Sequence, residues 1–178
     1  VRLGRVEEGL RLIDEVMVSV TAGELSPIVT GLVYCSVIAY CQEMFQLSRA
    51  HAWTQALTGW CEQQPEMVAH TGQCLVHRAE VSLLRGDWRL ALQEAQRAKI
   101  QFAKAMNSSA VGHALYRQGE VHRVQGRFEP PEAAYRGAAR SGYEPQPGLA
   151  LLRLVQGRTA AAAGTIRRTL AETTDAVR

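Results

Sequence analysis

One short pattern recurs along the chain: a small or turn-forming residue, then one helical face. Taken from Gly4, Phe45, Gly86, Gly126 and Gly157, the spacings are 41, 41, 40 and 31 residues. Two positions on stand Val6, Leu47, Trp88, Phe128 and Thr159; five on, Gly9, Ala50, Ala91, Pro131 and Ala162. Twelve on stand Val16, Leu57, Ala98, Ala138 and Thr169. A period of this length predicts helical pairs that cannot bury their apolar stripes alone and gain stability by stacking. Such stacks usually bind rather than transform.

The three-and-four spacing of apolar residues predicts helices over about 6–19, 27–43, 47–63, 67–84, 88–105, 110–125, 130–141, 148–156 and 158–173. Residues 21–27 (TAGELSP) and 142–147 (GYEPQP) read as loops. Asp87 and Asn107 are natural N-caps, because a short polar side chain can accept from free N–H groups of the first turn. Pro130 and Pro131 fit a first turn, where their missing N–H groups would have had no partner. The helix over 27–43 is almost wholly apolar and is expected to be the most buried element. Ala50, Ala79, Ala91, Gly119, Ala138 and Ala162 fall where paired helices must cross closely. Trp88 and Phe128 are expected to plug the gaps between pairs, and Trp53 and Trp60 to pack in the core. No useful stretch alternates, so no sheet is expected.

Composition narrows the function classes. The chain has 178 residues, 47% of them hydrophobic and 21% charged, close to globular averages. The net charge is +3, eighteen of the twenty basic residues are Arg, and no dense basic run appears. That gives little support for a nucleic-acid footprint. The longest apolar run, Gly31–Cys41, is too short to span a bilayer. Cys35, Cys41, Cys61 and Cys74 stand at irregular spacing inside helical patterns and read as free thiols in a reducing cytoplasm. The chain lacks an initiator Met and opens inside a repeat, which reads as a single helical-repeat domain (1–178) from a longer protein.

The segment Leu115–Ala138 resembles a tetratricopeptide repeat (TPR) at Leu115, Gly119, His122, Gly126, Phe128, Tyr135 and Ala138; Pro131 stands where that motif has a small alanine. The resemblance implies an all-α, TPR-like right-handed superhelix of about nine antiparallel helices. The strings Tyr34-Cys35-Ser36, Trp53-Thr54-Gln55-Ala56-Leu57 and Gly86-Asp87-Trp88 are similar to the helical-repeat region of large LuxR-type, MalT-like bacterial transcriptional regulators. So are residues 73–80 (QCLVHRAE), 119–123 (GEVHR) and 146–152 (QPGLALL). That family implies a cytoplasmic sensor and interaction region, with a nucleotide-binding module before it and a helix-turn-helix after it. Neither a G-x-x-x-x-G-K-[ST] loop nor a recognition helix occurs here, so no nucleotide or DNA contact is assigned to this chain.

His113, Tyr116, Glu120 and Arg123 fall at three- and four-residue steps on one helix side, which the resemblance makes the groove-lining side. They are the candidate surface for an effector or a protein partner. His77-Arg78-Ala79-Glu80 and Glu120-Val121-His122-Arg123 echo each other, and Glu80 and Glu120 are expected either to pair with an Arg of an adjacent pair or to contact a partner. His70, Cys74 and His77 have metal-ligand spacing on one helix but lack a fourth ligand, so packing is the better reading. No G-x-S-x-G turn or phosphate loop occurs, so the chain reads as non-catalytic, without cofactor or metal. The alternative to a sensor is a generic scaffold that captures a peptide or helix of another protein.

Overall fold

The caps and turns foreseen in the sequence set the helix ends. The structure, a computed structural model, describes residues 5–64, 68–127 and 129–175, excluding the side chains of 68–70 and 172–175. Gly4, Met67 and Phe128, and the side chain of His70, lie outside the described residues. Among the described residues there are nine helices and no strand: α1 (Val6–Thr21), α2 (Pro27–Glu43), α3 (Leu47–Glu62), α4 (Val68–Leu84), α5 (Trp88–Lys104), α6 (Ser108–Val124), α7 (Glu129–Arg140), α8 (Gly148–Val155) and α9 (Thr159–Asp175). Among the described residues no helix is long and apolar enough to cross a membrane.

The sequence repeat is a repeat of turns. Phe45, Gly86, Gly126 and Gly157 each sit in the left-handed region, with φ of 54°, 82°, 71° and 74°. Gly23, Met106 and Gly142 do the same at other helix ends. At all seven, the residue that follows donates its N–H to the carbonyl five positions back, at 2.8–3.2 Å. This closure satisfies carbonyls that a helix end would leave free. Asp87 accepts from Leu90 N–H and Asn107 from Ala110 N–H, both at 3.1 Å, so the two expected caps form. Pro130 and Pro131 lie in the first turn of α7, and Pro131 is fully buried.

Every helix packs on its neighbour in sequence, and α2, α4, α6 and α8 also pack in succession on one another. Among the described residues the backbones of the odd-numbered helices do not approach each other; Arg49 of α3 reaches Asp14 of α1, and Arg158, just before α9, reaches Glu132 of α7. Three clusters make the core. The first joins α1–α4 around Met17, Ile38, Leu57 and Cys61; the second, α4–α6 around Val76, Ala98 and Phe102; the third, α6–α8 around Tyr116, Tyr135 and Leu152. Ala50, Ala79, Ala91, Gly119, Ala138 and Ala162 are all buried, as close helix crossings require.

Two packing expectations are corrected. Helix α2 is not the most buried element: Ile28, Val29 and Leu32 are exposed, whereas α4 buries Cys74, Leu75, Val76 and His77 in unbroken succession. The reason is position, since α4 touches α2, α3, α5 and α6. Trp88 is not a buried plug but is 42% exposed at the first residue of α5. Trp53 and Trp60 do pack against the first cluster, with the Trp60 ring tilted against Tyr34 at 6.3 Å.

Candidate functional site

The polar residues singled out on α6 converge with α4, α7 and the start of α8. Arg117, not itself foreseen, is the hinge of the arrangement. Its Nη2 lies 2.9 Å from Glu80 of α4 and 3.4 Å from Nε2 of His113. Its guanidinium also lies 5.4 Å from the centre of the Tyr116 ring, within cation–π reach. Glu80 therefore pairs with an Arg of the next helical pair, one of its two expected roles. Glu120 instead pairs within its own helix, accepting from Arg123 Nε at 3.1 Å and Nη2 at 2.8 Å. It also accepts the phenolic hydrogen of Tyr135. That carboxylate is held by three donors across two helices.

Gly148 admits α8 to this cluster. A Cβ there would stand 2.2 Å from Glu120 Oε1 and 2.8 Å from the Tyr135 hydroxyl. Only glycine lets the α8 backbone come so close. The α7–α8 loop contributes Tyr143, whose ring stacks on His113 at 4.9 Å, 8° from parallel, and meets Tyr116 at 5.4 Å. Tyr116 and Tyr135 tilt against each other at 5.7 Å.

Burial sets the protonation states. His77 is 5% exposed, its Nε2 lies 3.3 Å from Gln73 Nε2, and its Nδ1 is buried without a partner. Burial, reinforced by the Arg117 charge, lowers His77 to about 4. His113 falls to about 3 through burial, then Arg117, then His77. Burial and the Glu120 charge push the Tyr116 phenol up to about 12. Tyr135 is raised by burial and by its bond to Glu120, and Arg123 is raised chiefly by the same carboxylate. The cluster thus sets Glu80 and Glu120 against Arg117 and Arg123, with imidazoles that stay neutral at pH 7 beside them. Its carboxylates are already engaged and its imidazoles resist protonation, so it is suited to recognition and register more than to proton transfer.

The six foreseen residues are thus brought together, His77 and Tyr116 buried and the other four half-buried. Helical spacing could not supply Tyr135, Tyr143 or Gly148 as their partners, whereas Arg117 stands four residues after His113 on the same helix. Tyr135 and Gly148 did carry a signal, as motif positions in the quoted strings. Cys74 and His77 do not share a site: Cys74 bonds Thr58 of α3, whereas His77 is influenced by Arg117 and His113 of α6. Among the described residues no group of three or more His, Cys, Asp or Glu is placed to hold a metal.

A separate cavity of about 330 Å³ opens between α3, α4 and α5, lined by His51, Thr54, Gln55, Thr58, Arg78, Val81, Ser82 and Leu90. Arg78 pairs at 2.5 Å with Glu94, which is 2% exposed. No protein-family model, curated protein or solved structure matches the chain.

Proposed function

We propose that this chain is a TPR-like helical stack serving as the non-catalytic sensor and interaction region of a LuxR-type, MalT-like transcriptional regulator. Its even-numbered helices would line a groove for an effector or a partner protein. The observation that carries this reading is the asymmetry of packing. Among the described residues even-numbered helices touch in succession, while no two odd-numbered helices come into backbone contact. A stack that is tight on one side and splayed on the other curves toward the tight side, as helical solenoids do. The regulator assignment rests on the quoted sequence strings. In such a protein, binding in the groove would bias the flanking modules between two states.

Two measurements test it. Thermal-shift screening of the chain against small polar metabolites should find a compound that raises Tm, and His113→Ala with Arg117→Ala should abolish the response. A stable protein partner and no small-molecule response would favour the scaffold. A parent gene with neither a nucleotide-binding module nor a helix-turn-helix would overturn the regulator assignment.

A further inference from the structure

The odd-numbered side of the stack opens unevenly. Arg49 of α3 reaches Asp14 of α1, and Arg158 reaches Glu132 of α7. Among the described residues no ion pair crosses from α3 to α5, and the cavity of about 330 Å³ lies there instead. Its volume falls at the lower end of small-ligand sites. Helix α3 lines it at helical steps with His51, Thr54, Gln55 and Thr58; α4 adds Arg78, Val81 and Ser82, and α5 adds Leu90.

Two donors in the lining are unspent. Ser82 is only 9% exposed, yet its hydroxyl makes no hydrogen bond among the described residues. A hydroxyl so placed takes its partner from whatever occupies the cavity. Arg78 gives Nη2 to Glu94 Oε1 at 2.5 Å, while its Nε and Nη1 have no partner among the described residues. Glu94 is 2% exposed and fixes that guanidinium from behind, so the remaining N–H groups are preorganised. Arg97 Nη1 stands 3.6 Å from the other Glu94 oxygen. Two guanidiniums therefore face one buried carboxylate, and the group carries one positive charge in excess. The threonines add no donor, because Thr54 and Thr58 give their hydrogens to the Ala50 and Thr54 carbonyls at 2.6 and 2.8 Å.

We infer that the α3–α4–α5 cavity binds a small aliphatic carboxylate, with its oxygens on Arg78 and Ser82 and its chain against Val81 and Leu90.

The spacing suits that ligand. Arg78 and Ser82 are four residues apart on α4 and share a helix face, so one carboxylate can accept an N–H from the first and the O–H from the second. The excess charge favours an anion, and Val81 and Leu90 favour one with an apolar chain. An inorganic oxyanion would give up hydration against those two side chains without gaining a partner. The cavity shares no lining residue with the polar cluster on α6, so this site stands apart from the proposed groove.

The test is a nitrogen–proton correlation NMR titration of the unaltered chain with hexanoate at neutral pH. The expected result is saturable shifts of amides within 51–58 and 78–82, with a Kd on the order of 1 mM. Hexanol keeps the chain and loses the charge; inorganic phosphate keeps the charge and loses the chain. Each should bind roughly tenfold more weakly than hexanoate. Ser82→Ala should weaken hexanoate about tenfold and leave hexanol unchanged. His113→Ala with Arg117→Ala should leave hexanoate affinity as it is. Hexanol or phosphate binding as tightly as hexanoate would overturn the inference, as would the absence of shifts up to about 10 mM. Shifts centred on α6, or a loss of affinity in the His113 and Arg117 double variant, would assign the acid to the groove and overturn it too. Because the three probes are compared on the unaltered chain, a misfolded substitution does not decide the matter.

Discussion

The two ends of the helical stack are cemented by opposite chemistry. At the α1–α4 end, Met17, Val37, Ile38, Leu57 and the thiols of Cys41 and Cys61 make an apolar core. At the α6–α8 end, Tyr116, Tyr135 and Tyr143 surround Glu120, Arg123, Arg117 and His113, with glycines where the backbones close in. Dispersion and hydrophobic burial have no direction, so the first end tolerates changes of shape that preserve volume. A buried polar network is directional: complete, it fixes one register; with one member gone, it leaves charges and donors stranded. The end that defines its geometry most narrowly is therefore the one more easily broken by chemistry than by size.

Removing one member from either end should cost a similar amount, so the contrast emerges with conservative substitutions. Leu57→Ala should lose about 3 kcal/mol by opening a cavity in a fully buried position. Glu120→Ala should also lose about 3 kcal/mol, because Tyr135 and Arg123 are left facing an empty site. Leu57→Met should then cost less than about 1.5 kcal/mol. Glu120→Gln, equally close in shape, should still cost about 2 kcal/mol because a charged bond becomes a neutral one. Urea unfolding of the four variants decides. If Glu120→Gln proves as mild as Leu57→Met, the network is ornamental and the two ends are alike.

Acid should separate the ends next. His77 and His113 have folded values of about 4 and about 3, below the unfolded value of 6.5. Between pH 6.5 and 4 the unfolded chain therefore binds more protons than the folded one. Stability is full above 6.5 and falls as pH falls. At pH 5 His77 alone should remove about 2 kcal/mol, with His113 adding in the same direction. Hydrogen exchange should show the α4–α6 interface opening at pH 5 while amides of α2 and α3 stay protected. His77→Gln should reduce the pH slope of urea-unfolding stability by about one proton. An unchanged slope in both His77→Gln and His113→Gln would place the acid sensitivity elsewhere.

The turns were more legible than the contacts, and there is a physical reason. A turn is decided by a few adjacent residues, so the spacing of Phe45, Gly86, Gly126 and Gly157 carried their shared left-handed backbone even through a phenylalanine. The helical faces were legible as well: His113, Tyr116, Glu120 and Arg123 do cluster. What periodicity lacks is the crossing angle between helices. It could not tell that Glu80 reaches Arg117, or that an irregular loop supplies Tyr143. It misplaced Trp88 for the same reason, since a residue just after a turn can face the gap between pairs or the rim.

The smallest expected effect addresses what the two ends share. Phe45 closes α2 in the apolar region and Met106 closes α5 beside the polar one, both with positive φ and 79% and 92% exposed. Neither side chain buries enough to repay its conformation, because a Cβ in the left-handed region crowds the following carbonyl. Phe45→Gly and Met106→Gly should each raise stability by about 1 kcal/mol, the relief of that crowding less the extra freedom gained by the unfolded chain. Equal gains in urea unfolding would mean that the turns form one uniform frame on which the two cores differ. A loss at Phe45 with a gain at Met106 would instead mean that the phenyl ring shields the apolar end, and the contrast between the ends would extend to their turns.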